Sequence, residues 1–253
     1  MAKITNEKFK LLEESLKAVS NGNINILTLY GNPGTGKTYT TLEYLKEQSV
    51  NYEYINSYAT PLSFYELLWK NRYKDVVIFD DLYGVNNPII LAMLKSACWI
   101  SNGARIVSYY STSSKMDLHG LPESFEFKPN IILIFNKLIQ GYGPITSRGV
   151  TINFNFNFDD KIKIFDELKD VLDEDVLNYV KLNCNESTTN LSVRTLVILS
   201  NLKIAGQDFK LFAKEMLKPD EDKRLLISLS ADEWADETGY HKRTYYRRKK
   251  AME

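Results

Sequence analysis

Eight consecutive residues, Gly31-Asn32-Pro33-Gly34-Thr35-Gly36-Lys37-Thr38, set three glycines, a lysine and a hydroxyl at the spacing that wraps backbone around a phosphate chain. Glycines let the main chain curl until its N–H groups point into one concavity. The ammonium then reaches the β- and γ-phosphates, and the threonine hydroxyl is a hard oxygen ligand for Mg²⁺. The octet lies between an apolar run at 24–30 and a helix-like segment at 39–48, so a strand end and a helix N-terminus face one point. Tyr39, at the start of that helix, is counted with the loop. This pattern predicts a site for a nucleoside triphosphate, taken as ATP, with Mg²⁺.

The run Val76-Val77-Ile78-Phe79 is rich in β-formers and reads as a buried strand ending in Asp80-Asp81. Beside a phosphate loop, Asp80 is expected to hold Mg²⁺, directly or through water. Asp81 is placed to orient and deprotonate an attacking water. The bland alternative is a pair of aspartates capping a strand-to-loop transition. Asn136 ends the next apolar run, 131–135, where its amide could hydrogen-bond the γ-phosphate or that water.

These groups need a scaffold, and the hydropathy pattern predicts one. Phe9, Leu12, Leu16 and Val19 share one face of a first helix. A strand is expected at 52–56, a helix opened by Thr60-Pro61 and another by Asn87-Pro88. Two β-rich pieces, 105–111 and 125–127, read as an inserted hairpin at about 104–128. Residues 150–158 alternate strictly, with Ile152, Phe154, Phe156 and Phe158 on one face, whereas central strands of a covered parallel sheet are apolar on both. They are therefore expected to form an edge strand. Strands alternating with helices, followed by helices alone from 159 onward, predict an α/β core of 1–158, a helical lid of 159–218 and a small module of 219–253.

Composition is that of a globular chain of 253 residues with no net charge. Cys98 and Cys184 lack metal-ligand spacing, so neither a zinc site nor a disulfide framework is expected. No apolar run approaches a membrane span and no secretory signal core opens the chain, which predicts a cytoplasmic protein that does not enter membranes. Charge is uneven, however. Lys242, Arg243, Arg247, Arg248, Lys249 and Lys250 face only Glu253 in the last fifteen residues. A polyanion would be gripped there.

In their order the motifs resemble the AAA+ ATPases: 31–38 as Walker A, 76–81 as Walker B and Asn136 as sensor 1. Thr146-Ser147-Arg148-Gly149 resembles the arginine-finger position and Ser192-Val193-Arg194 resembles sensor 2, so the resemblance covers about residues 20–205. It implies a P-loop three-layer α/β sandwich with a parallel sheet, a helical lid, and the strand near 150 at a sheet edge. It also implies ATP bound between subunits of a ring or spiral, with Arg148 reaching a neighbour's site and Arg194 reaching the nucleotide. Most of the family ends Walker B in Asp-Glu. The Asp-Asp doublet resembles DnaA-type initiators, DnaC- and IstB-type loaders and superfamily 3 helicases, and its shorter second acid suggests a slow, switch-like ATPase.

At the C-terminus, Ser230-Ala231-Asp232-Glu233 forms a capping box, Thr238-Gly239-Tyr240 a turn, and 241–250 a basic helix. The arrangement resembles a helix-turn-helix, with Lys242, Arg243, Thr244, Arg247 and Arg248 as expected DNA contacts and Tyr245 or Tyr246 packing inward. A solvated basic tail is the alternative. The hairpin also resembles the pre-sensor insertion of several AAA+ translocases, which implies that Lys115 and His119 near its tip face a ring channel; a plain surface hairpin is the alternative. Together these features predict an ATPase that assembles on DNA in replication initiation, helicase loading or unwinding, with a replicative helicase or other replication protein as a possible partner. An ATP-switched regulator of transposition or transcription is the alternative, and a protein-remodelling ATPase is disfavoured because no pore-loop or partner-domain signal is present.

Overall fold

A computed structural model describes residues 4–56, 58–82, 87–110, 116, 119–138 and 143–250. The chain divides into two compact units, Thr5–Asn155 and Phe156–Glu253 together with Met1–Ile4. The first unit runs α1 (Glu7–Ser20), β1 (Ile26–Tyr30), α2 (Lys37–Glu47), β2 (Tyr52–Ile55), α3 (Pro61–Asn71) and β3 (Val76–Asp80). It continues with α4 (Pro88–Cys98), β4 (Ile106–Ser108), β5 (Ser124–Glu126), β6 (Asn130–Phe135), α5 (Gly143–Thr146) and β7 (Val150–Asn153).

Five strands form one parallel sheet in the order β2-β3-β6-β1-β7. The three central strands are the continuous apolar runs, and nearly every residue in them is buried, because helices cover both faces. The four apolar residues of α1 predicted to share a face are all buried. Asn6 caps that helix by accepting the Lys8 N–H at 2.9 Å. Thr60 and Ser63 form a reciprocal capping box at the start of α3, with Pro61 at the first helical position.

The edge placement expected near 150 holds, but the strand is shorter than its alternation. β7 stops at Asn153, and Asn157 then caps the following helix by accepting the Asp160 N–H at 2.8 Å. Phe154 and Phe156 remain buried, so the alternating apolar pattern outlasts the sheet ladder. The inserted hairpin is present as an antiparallel pair, β4 with β5, in a sheet of its own. Its base is pinned by buried Arg105, whose guanidinium donates to the Pro129 carbonyl at 2.6 Å and to that of Lys128. Of the two cations expected near the tip, Lys115 lies outside the described residues. His119 turns back towards α3, with Nδ1 3.4 Å from Glu66 Oε1.

The second unit is helical among its described residues: α6 (Phe158–Glu167), α7 (Glu174–Asn183), α8 (Val193–Ile204), α9 (Phe209–Met216), α10 (Glu221–Ser228), α11 (Ala231–Thr238) and α12 (Lys242–Lys250). Helices α6 to α9 share one apolar cluster that includes Phe165, Val176, Leu196, Leu199 and Phe209. Helices α10 to α12 close around a smaller one of Leu226, Trp234 and Tyr245. The acids at 220–222 open α10, with Asp220 capping it by accepting the Lys223 N–H at 3.0 Å. No described helix is long and apolar enough to cross a membrane. Cys98 and Cys184 are both free thiols.

Gly149 shows how tightly β7 is docked. A Cβ there would lie 2.1 Å from the Ile26 carbonyl oxygen, which is backbone of β1 and cannot swing aside. Gly149→Ala is expected to destabilise the first unit by about 1–3 kcal/mol in urea unfolding. Gly143→Ala, where a Cβ meets nothing within 4 Å, should change stability by less than about 0.5 kcal/mol.

Candidate functional site

Because β1, β3 and β6 run parallel, their carboxyl ends reach the same edge of the sheet. The loop of residues 31–36 leaves β1 there, Asp80 ends β3 with Asp81 just after it, and Asn136 follows β6. Gly31 passes so close to the Phe154 carbonyl that a Cβ would meet its oxygen at 2.7 Å. Asn155 fixes the next step of the loop by accepting the Asn32 N–H on Oδ1 at 2.6 Å. Thr35 Oγ1 donates to the Asn32 carbonyl at 3.0 Å. Gly36 enters α2 with φ at 92°, a left-handed conformation favourable to glycine, and offers no side chain over the helix N-terminus. The backbone amides of the first turn and the helix dipole therefore face the loop.

Lys37 is buried at the base of this loop. Its ammonium donates to the carbonyls of Gly31 at 2.7 Å and Asn32 at 2.9 Å and contacts Thr35 Oγ1 at 3.4 Å. Thr38 Oγ1 donates to Asp80 Oδ2 at 2.7 Å. Thr38 keeps its proton and points it at the carboxylate, so its oxygen lone pairs remain available to a cation. Two hard oxygen donors so close together fit Mg²⁺, which takes one or two protein oxygens and completes its shell with water and phosphate. No group of three or more His, Cys, Asp or Glu among the described residues could hold a metal on protein ligands alone.

Asp81 takes a left-handed φ of 45°, unusual for a residue other than glycine. Its N–H stays bonded to the Ile134 carbonyl at 3.0 Å, and its Oδ2 accepts the Asn136 amide at 2.7 Å. Asn136 thus touches the acid expected to handle a water molecule. Tyr39 is exposed on the first turn of α2, and Pro33 and Gly34 form the outer curve of the loop.

Arg148 is not extended into solvent. Its guanidinium donates to the Pro144 carbonyl and lies 4.8 Å from the Trp99 ring centroid, a cation–π contact. Arg194 belongs to the second unit, where it is exposed on the first turn of α8 behind the Ser192 cap.

Sequence patterns gave no sign of two further contacts, those of Asn155 and Tyr54. The Tyr54 hydroxyl, on β2, donates to the same Asp80 Oδ2 at 2.8 Å. Burial holds its pKa above the ordinary 10.0; Asn56 opposes, and Asp80 and Asp81 add to the rise, so the phenol stays protonated as a donor.

In the basic C-terminal helix, Tyr245 is the tyrosine that packs inward, its hydroxyl donating to the Leu229 carbonyl at 3.0 Å. The five expected DNA contacts are not equivalent. Lys242 pairs with Asp232. Arg248 pairs with Asp222 at 2.7 Å and stacks 4.9 Å from the Tyr240 ring, while Thr244 is half-buried. Arg243 and Arg247 are exposed and share a face with exposed Tyr246 and Lys250.

This α/β sheet, with its loop and acids at one edge and helices beyond, has the fold of the AAA+ proteins. The RuvB Holliday junction branch migration motor of Thermotoga maritima is similar to it, at 18% identity over 95% of this chain and 84% of that one, with a TM-score of 0.52. A point mutant of the same RuvB aligns at 18% identity over 93% and 82%, with a TM-score of 0.50. At such identity the likeness is one of fold. In sequence, the chain is 27% identical over 228 residues to an uncharacterized 36.7 kDa protein from the nrdC-mobD intergenic region of Enterobacteria phage T4, covering 78% of this chain and 69% of that protein. No family model matches the chain.

Asn155→Ala removes the acceptor that holds the Asn32 amide. Hydrogen exchange at Asn32 is expected to accelerate about fivefold to tenfold, the worth of one hydrogen bond, while the amides of β1 keep their protection.

Proposed function

We propose that this protein binds and hydrolyses ATP with Mg²⁺ and assembles on DNA. The observation that carries the proposal is the convergence at one sheet edge of Lys37, the Thr38–Asp80 pair at 2.7 Å and the Asp81–Asn136 pair at 2.7 Å. The amides of residues 31–36 would cradle the phosphate chain, with Lys37 leaving its loop carbonyls for the β- and γ-phosphates. Thr38 and Asp80 would hold Mg²⁺, which neutralises charge on the phosphates when bound. Asp81 would accept the proton of the attacking water, with Asn136 fixing the carboxylate that does so. One methylene shorter than Glu, Asp81 suits a slow turnover that serves as a switch.

Arg148 would act in a neighbouring copy's site, neutralising charge on the γ-phosphate, and Arg194 would meet the nucleotide from the lid. DNA would be held by the C-terminal module through Arg243 and Arg247, the two expected contacts that stand exposed. Their freedom from ion pairs among the described residues supports that choice over Lys242 and Arg248. The best-supported role is in replication: initiation, helicase loading or unwinding in the cytoplasm.

Lys37→Ala is expected to lose nucleotide binding and, in mass photometry with a non-hydrolysable ATP analogue, nucleotide-dependent assembly. Asp81→Asn should bind the analogue normally yet release phosphate about 100-fold more slowly or worse in single turnover. Unchanged release would remove Asp81 from the chemistry. Replacing Arg243 and Arg247 together by Glu should weaken duplex affinity in fluorescence anisotropy and lower the slope of log K against log salt by about two. Wild-type binding by that variant would take DNA contact away from α12.

A further inference from the structure

The Asp80 carboxylate is clamped from two sides, and only one of them belongs to the phosphate loop. Thr38 Oγ1 reaches Oδ2 from the first turn of α2 at 2.7 Å, and the Tyr54 hydroxyl reaches the same oxygen from edge strand β2 at 2.8 Å. A carboxylate oxygen offers about two lone-pair directions, so Oδ2 is saturated by these two O–H donors. Oδ1 carries no hydrogen bond among the described residues.

We infer that Tyr54 is a positioning residue that sets the orientation of the Asp80 carboxylate, and with it the affinity of the site for its divalent cation; this rests on the nucleotide-binding function proposed above. The terminal torsion of an aspartate is broad and shallow, so the backbone of β3 does not by itself fix where the oxygens point. One donor leaves the carboxylate free to pivot about that bond. Two donors from different elements, helix α2 and strand β2, hold its plane and keep Oδ1 turned to one place, where a cation or a cation-bound water can find it. Tyr54 is itself steadied by Asn56, whose amide approaches the phenol oxygen at 3.4 Å. Tyr54 is 37% exposed, so its contribution is moderated by solvent and loss of the hydroxyl leaves no buried void.

The consequence separates metal from nucleotide. Lys37 and the loop amides would meet phosphate without help from Tyr54, whereas Asp80 would meet the cation only in the orientation Tyr54 enforces. Tyr54→Phe keeps the ring and deletes the donor, in the full-length protein. Mn²⁺ is the probe, its binding followed by electron paramagnetic resonance at saturating non-hydrolysable ATP analogue. Analogue affinity in EDTA is measured alongside by fluorescence. The dissociation constant for Mn²⁺ is expected to rise about threefold to tenfold, the range of an ordinary hydrogen bond, because partial exposure of Tyr54 lowers what a charged acceptor would otherwise give. Analogue affinity in EDTA and the melting temperature should match the wild type. Unchanged or tighter Mn²⁺ binding, with analogue still bound, would overturn the role of Tyr54 alone. A wild-type protein that binds no analogue under either condition would overturn the nucleotide-binding function itself.

Discussion

The hydrogen bond between Thr38 and Asp80 joins the turn after β1 to the end of β3, across the intervening strand β6. It exists because parallel pairing brings all three carboxyl ends to one edge, in a register that sets Tyr30 beside Phe135 and Asp80 beside Ile134. A slip of one residue would turn the aspartate to the other face of the sheet. Everything that follows at the site, from the Asp81–Asn136 contact to the second donor on Asp80, depends on that register. The register depends in turn on three apolar strands that bury themselves on both faces.

The charged side chains buried in this core, among the described residues, each meet a partner. Lys37 has the loop carbonyls, Asp80 has two hydroxyls and Arg105 has backbone oxygens at the hairpin base. Each arrangement compensates for the cost of burying charge. Each also fixes a geometry, since a buried ionic group held by short hydrogen bonds has few places to go. The left-handed backbone at Asp81 adds local strain that the surrounding ladder must hold in place.

Much of the first unit was legible in the residues. The glycine–lysine–threonine octet, the apolar run ahead of Asp80-Asp81 and the run ahead of Asn136 predicted strands, turns and their adjacency, because parallel α/β topology converts strand ends into neighbours. What stayed hidden was contact across long sequence distance. Tyr54 sits in a four-residue strand whose pattern says nothing of an aspartate 26 positions on. Asn155 belongs to an alternating stretch in which Asn reads simply as the solvent face, yet it holds the loop of residues 31–36 through the Asn32 N–H. The same alternation overstated β7, since extended chain can keep burying Phe154 after the ladder has ended. In the basic helix, charge alone could not tell Arg243 and Arg247 from Lys242 and Arg248. Those last two find carboxylates on neighbouring helices, and only packing reveals it.

The function proposed above requires one triphosphate and one Mg²⁺ between the loop around Lys37 and the acid at the end of β3. A crystal structure of the protein soaked with Mg²⁺ and a non-hydrolysable ATP analogue addresses it most directly. Phosphate oxygens against the amides of residues 31–36, with the cation lying between Thr38 and Asp80, is the predicted result. A nucleotide bound elsewhere, or a cation with neither of those residues in its shell, would contradict it.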